Sequence, residues 1–292
     1  MKQVTLRSRA RGVSLIELMI SLVIGLVVVG AVLVSFLGSG QTGRVQAAYG
    51  QMNEDAQIAL NIMARDIQLA GYSQPVGSAT DPITNVSSLV KTFSGRSIFG
   101  CDAGSFKPNA ATLNAPCNYV GADAVAAPVL EVAYEADFSN TSPTSTLPSK
   151  PTDCLGTGLV QQTVGVLNFY VTHNRYYVAI GGSGQPELRC ASDVGAGQAL
   201  VDNVESMSVW YGEANVALPR QIVRYVTASN VADFDRVIAA RICLVVRSAE
   251  SVLPPGETLT YSGCDGLAHV VADRRLRRAY FTTATLRSKM AL

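Results

Sequence analysis

The chain has 292 residues, 48 % of them hydrophobic and only 15 % charged, with a formal net charge of +1. That length is enough to bury a good core in one domain or a compound one. Removing Lys2, Arg7, Arg9 and Arg11 leaves 19 basic against 22 acidic residues, so the body of the chain is mildly acidic and gives no general electrostatic case for nucleic-acid binding.

Those four cations fall in residues 1–12, which contain no acid. This is a positive flank of the kind that keeps an N-terminus in the cytoplasm. Val13 to Leu37 follows, 25 residues interrupted only by Ser14, Glu17, Ser21, Ser35, Gly25 and Gly30. As a helix it would be roughly 37 Å long, enough to cross a bilayer with some tilt. An ordinary secretory signal has a shorter apolar region, about 7–15 residues. Neither such a signal nor a plain anchor accounts for Glu17. A charge near a bilayer interior costs roughly 2.5–3.5 kcal/mol on insertion scales, so this carboxylate is expected to have a partner and a role.

Beyond the apolar stretch, Gly38, Gly40 and Gly43 suggest a loosened joint. Val45, Tyr49, Met52, Ala56, Leu60, Met63, Ile67 and Ala70 then recur at steps of three and four, an amphipathic stripe at the helical period. Asn53, Glu54, Gln57, Asn61 and Gln68 fall off that stripe. Gly71 is placed to cap the helix and Pro75 forbids its continuation. The expected organisation is a leader over residues 1–12, an N-terminal helix over 13–72 with 13–37 in the membrane, and a globular domain over 73–292.

Residues 73–150 are rich in Ser, Thr, Asn, Gly, Pro and Ala, and only Val129–Tyr134 reads clearly as a strand. The rest of that stretch is expected to be irregular, pinned by cysteines and anchored by Phe99, Phe106 and Tyr119, with an exposed loop at Ser139–Pro151. Farther on, Val166–Val171 and Tyr176–Ile180 read as strands, and Gly181-Gly182-Ser183-Gly184 reads as a turn before Leu188-Arg189-Cys190. Val204–Tyr211 alternates and stops at Gly212; Ile238–Val246 alternates with Arg241 and Arg247 on the opposite side; Ala279–Leu286 is the last candidate. The fold class expected is α+β, an N-terminal helix packed on antiparallel sheet.

All six cysteines, at 101, 117, 154, 190, 243 and 264, lie beyond the apolar segment and none forms a C-x-x-C pair. An even count outside a membrane favours disulfides over zinc or redox chemistry. Sequence admits 15 pairings; the neighbours Cys101–Cys117, Cys154–Cys190 and Cys243–Cys264 are the expected set. No metal site, cofactor or active site is expected. His173 and His269 are the only histidines and lack metal spacing, and the glycine-rich turn lacks the lysine and helix of a phosphate loop. Arg274, Arg275, Arg277 and Arg278 form the best candidate partner surface, against the plainer reading of charge guarding a sheet edge.

The run Arg11-Gly12-Val13-Ser14-Leu15-Ile16-Glu17 resembles the class III signal of type IV prepilins and of type II secretion pseudopilins. In those families a membrane peptidase cuts after the glycine and methylates the new N-terminus, which implies cleavage between Gly12 and Val13. Glu17 is then the fifth residue, as the family requires, although the usual Phe after the glycine is Val13 here. A buried carboxylate at that depth can be neutralised by the N-terminal ammonium of a neighbouring subunit, which sets axial register. Further blocks resemble the PilW group of large minor pilins: Ala64–Tyr72, Gly100-Cys101-Asp102, Asp153-Cys154-Leu155-Gly156, Val204–Gly212 and Arg278–Arg287. The resemblance implies a non-enzymatic minor pilin in the inner membrane, its globular part periplasmic and later in the pilus, that primes assembly at or near the tip. Implied partners are other minor pilins, the major pilin, prepilin peptidase, the inner-membrane assembly platform and a tip adhesin. A J-type pseudopilin of type II secretion is the alternative.

Overall fold

The computed structural model describes residues 12–80, 87–113, 117–194 and 197–290. The basic leader before Gly12 lies outside the described residues. The chain divides into two units, one up to Ala47 and one from Ala48 to the C-terminus.

One helix, α1 (Leu15–Leu69), contributes to both units without interruption. The joint expected at Gly38, Gly40 and Gly43 is therefore absent. Each glycine costs a helix about 1 kcal/mol relative to alanine, but no proline stands within the run and helix-competent residues surround it on both sides. In the first unit the large apolar side chains from Val13 to Phe36 are 54 % to 79 % exposed. In the second unit Met52, Ala56, Ala59, Leu60, Met63, Ile67 and Ala70 are buried, following the stripe. Full burial of the four large ones contributes roughly 6–12 kcal/mol before entropy is counted. The helix stops where Gly71 adopts φ +71°, and the Gly71 N–H donates to the Ala133 carbonyl at 2.8 Å. A Cβ there would lie 2.8 Å from the Ser97 Cβ, so glycine is required for space as well as for φ.

The strands follow in order: β1 (Pro75–Thr80), β2 (Ser87–Lys91), β3 (Ile98–Cys101), β4 (Ser105–Phe106), β5 (Val125–Ala126) and β6 (Val129–Glu135). Next come β7 (Gln161–Val164), β8 (Leu167–Ile180), β9 (Pro186–Ala191), β10 (Gln198–Asp202), β11 (Val204–Ala214) and β12 (Ile222–Val226). The last are β13 (Val237–Arg247), β14 (Leu259–Ser262), β15 (Ala268–Val271) and β16 (Arg277–Thr285), before a short helix α2 (Arg287–Met290). Every pairing between these strands is antiparallel. One sheet has the order β10-β9-β8-β6-β3, with β7 also paired to β8. The other has the order β12-β11-β13-β16, and β14–β15 forms a separate hairpin. The fold is α+β.

Four expectations need correction. The described residues of 73–150 hold five strands besides β6, because short polar segments gain order from pairing that composition does not advertise. Phe99 and Phe106 do sit in a buried cluster with Leu113, Val129 and Tyr177, but Tyr119 lies outside it, its hydroxyl donating to Asp123 at 2.7 Å. The two strands expected at 166–171 and 176–180 are one continuous β8. The polar run between them resembled a break, yet His173, Asn174 and Arg175 pair across to Ala133, Val132 and Glu131. The buried side chains of Asn174 and Arg175 find partners, so the strand has no reason to turn. Likewise β11 runs through Gly212 to Ala214, paired on both sides by β12 and β13.

The cysteines form three disulfides, Cys101–Cys117, Cys154–Cys190 and Cys243–Cys264, with Cα separations of 6.1, 6.5 and 5.8 Å. The first ties β3 to the following loop, the second fastens the loop before β7 to β9, and the third fastens the β14–β15 hairpin to β13.

Candidate functional site

The N-terminal segment is built for burial in something other than its own chain. The Leu18 N–H donates to the Ser14 carbonyl at 3.1 Å as the helix begins, and Ser21 returns its hydroxyl to the Leu18 carbonyl at 2.9 Å. A polar side chain that satisfies itself on its own helix is cheap to place in lipid. Glu17 cannot do this. It lies in the first turn of α1, exposed amid Leu15, Ile16, Leu18, Met19 and Ile20, and has no hydrogen bond or ion pair among the described residues. Gly12 and Val13 precede the helix, in extended and exposed chain. The helix passes the length and composition test for a membrane span, and none of its apolar window is buried.

In the second unit, a buried carboxylate joins helix to sheet. Asp66 is 8 % exposed and accepts from the Tyr176 hydroxyl at 2.6 Å, the Asn174 side-chain amide at 2.6 Å and the Tyr134 hydroxyl at 3.2 Å. Burial pushes the Asp66 carboxyl above its ordinary value, against the lowering effect of those three hydrogen bonds. Burial, then the charge of Asp66, also raises both tyrosines. Sequence reading missed this site, because an Asp on the apolar face of a stripe carries no sign of which sheet residues will meet it. A second buried cluster holds Arg175 Nε 2.7 Å from Glu131.

The arginine run is mostly internal. Arg277 is buried and makes paired contacts to Glu205 at 2.5 and 2.8 Å and to Asp273 at 2.7 Å through two nitrogens. Its hydrogen bonds hold the Asp273 carboxyl down at about 2. Arg274, in the left-handed region at φ +63°, donates to the Leu253 carbonyl at 2.7 Å, and Arg275 donates to the carbonyls of Ser248 and Ala249. Only Arg278 is exposed, over the ring of Tyr280 at 5.6 Å. The four do not form one free cationic surface. The reason is that strand alternation and the bend before β16 send successive side chains to different surroundings. β16 is a terminal strand of its sheet, so Arg278 does stand on a sheet edge.

Among the described residues no three His, Cys, Asp or Glu side chains converge as metal ligands would. His269 pairs with Asp265 at 3.0 Å; His173 is partly buried within β8, and burial lowers its pKa.

Comparison with known families gives two matches. Residues 7–33 match the prokaryotic N-terminal methylation motif, which includes Gly12, Val13 and Glu17. Residues 175–288 match the Type IV Pilus-assembly protein W family, from the middle of β8 through β16. The chain thus carries a prepilin-type N-terminal motif and, over its C-terminal portion, a PilW-type domain of pilus-assembly proteins. No curated protein matches the chain. Among solved structures, a type IV-like pilin from Thermus thermophilus aligns at 13 % identity and a TM-score of 0.40, covering 82 % of this chain and 99 % of its own.

Proposed function

We propose that this chain is a minor pilin that takes part in priming and assembling a type IV pilus, at or near its tip, after prepilin peptidase cleaves between Gly12 and Val13. The observation that carries this reading is Glu17. It is an ionisable group in the exposed apolar part of α1, the fifth residue after the break and without a partner among the described residues. Cleavage would create an ammonium at Val13, and the helix of a neighbouring subunit would present that ammonium to Glu17. Opposite charges meeting in low dielectric attract strongly and penalise any other register. The apolar helix would first anchor the chain in the inner membrane with the globular unit in the periplasm, then pack against other helices in the filament. Its partners would be the other minor pilins, the major pilin, the assembly platform and, at the tip, an adhesin. The role is structural and not enzymatic.

The test is a deletion strain scored for surface pili and for the profile of secreted enzymes. Lost pili with normal secretion supports the priming role. Normal pili with blocked secretion moves the protein to the J-type pseudopilins and refutes it. Intact mass of the protein recovered from membranes checks processing: a chain beginning at a methylated Val13 is expected, and an N-terminus elsewhere refutes the cleavage site.

A further inference from the structure

A groove of about 720 Å³ lies against the β12-β11-β13-β16 sheet and reaches Tyr49 of α1. Tyr280, next to Phe281 in β16, is on the other face of that strand, where its hydroxyl donates to Asn53 of α1 at 2.7 Å. Trp210 of β11, Arg241 of β13 and Phe281 of β16 line the groove, and Tyr261 on the β14–β15 hairpin lines it from across. Cys243, buried in β13, is bonded to Cys264 beside that hairpin, so the third disulfide fixes the hairpin to the sheet on this side.

The charges around the groove are unequal. Its nearest acids are committed elsewhere, Asp265 to His269 and Glu205 to Arg277. Two guanidiniums have no carboxylate among the described residues: Arg241, over Phe281 at 5.0 Å and Trp210 at 5.9 Å, and Arg278 over Tyr280. An arginine held on aromatic faces keeps its in-plane N–H donors free for a planar acceptor such as a carboxylate.

We propose that this groove is a docking site for an acidic polypeptide segment of a partner subunit. A carboxylate of that segment would be held by Arg241, and its apolar neighbours would lie on Trp210, Tyr261 and Phe281. Charge complementarity selects the carboxylate, and the aromatic surface flanking it selects a polypeptide over a bare anion. A nucleic-acid strand would need a row of cations along its phosphates, and the rim here carries Asp265 instead. The disulfide holds the groove formed before anything binds, which lowers the ordering cost of docking. The proposal rests on the reading of the chain as an assembly subunit.

Trp210 is the only tryptophan in the chain, so its emission reports on the groove in the purified full-length protein in detergent. The probe is a synthetic peptide alternating Glu with Val. A saturable emission change is expected, lost when every Glu of the peptide is Gln. Arg241→Gln should weaken it about tenfold, as for one charge-assisted contact, and Lys150→Gln should leave it unchanged. No saturable change, or an equal response to the Gln peptide, overturns the proposal. So does a stronger response to mixed-sequence single-stranded DNA. In cells, Arg241→Glu with Phe281→Ala at normal protein level should reduce surface pili about tenfold, if docking limits assembly by the same margin. Normal pili in that strain beside a bald deletion strain overturns the groove alone. Normal pili in the deletion strain overturns the assembly reading beneath it.

Discussion

Asp66→Ala would remove the acceptor shared by Tyr176, Asn174 and Tyr134, all from strands that α1 packs against. A buried donor left unpaired costs about 1–3 kcal/mol. Two effects reduce the sum: Asn174 also lies 3.4 Å from the Tyr134 hydroxyl, and a desolvated charge is removed with the side chain. A net loss of about 3 kcal/mol follows, which for a domain of this size lowers Tm by about 6–12 °C. Near-UV circular dichroism of the full-length protein in detergent, followed through thermal unfolding, measures it. Asp66→Asn isolates the charge while keeping the shape. Because the folded carboxyl is raised, the folded chain binds the extra proton. Asp66 therefore stabilises most at low pH, below the unfolded carboxylate value near pH 4, and that contribution is lost as pH rises through the folded value. The Asn variant should thus gain on the wild type as pH increases from about 4 to 8. An Ala variant within about 1 °C of wild type, or an Asn–wild-type difference that does not vary with pH, would refute the idea that this carboxylate locks helix to sheet.

Three further predictions follow from the same structure. Cys243→Ser with Cys264→Ser opens a loop of 21 residues and should cost about 3 kcal/mol by the chain-entropy estimate, read as a drop in denaturation midpoint; no drop would mean the hairpin is held by other contacts. Asp273, depressed to about 2 by Arg277, contributes stability that is fully present above the unfolded carboxylate value and is lost as pH falls through about 2. Asp273→Asn should therefore flatten the acid limb of the unfolding curve between about pH 4 and 2, and an unchanged limb counts against the ion pair. Glu17→Ala should leave cleavage and membrane insertion intact, by mass and fractionation, yet reduce incorporation into sheared pili; normal incorporation would sink the register argument.

Local chemistry explains which features could be read from the chain. The apolar stripe from Met52 to Ala70 needs only the 3.6-residue period, and Gly71 needs only a left-handed cap, so both are visible without a partner in view. The strands β6, β9, β13 and β16 were legible because alternation or β-branched runs mark them. The middle of β8 was not, since Asn174 and Arg175 look like loop residues until Asp66 and Glu131 arrive from 108 and 44 positions away. The short strands of residues 75–126 were missed for a similar reason, as their order comes from pairing.

The site divides in the same way. Gly12, Val13 and Glu17 stand out in sequence because a charge inside an apolar run is anomalous wherever the chain later goes. The arginine run showed its composition but not its disposition, for alternation along β16 and the bend before it assign Arg277 to Glu205 and Asp273 and leave Arg278 outside. Sequence by itself determined the anchor, the helix face and the α+β class, because these depend on periodicity and transfer energy summed over neighbouring residues. Tertiary structure alone decided the Asp66 lock and the Trp210–Arg241–Phe281 groove, because both are made of side chains that become neighbours only when strands distant in sequence pair in register.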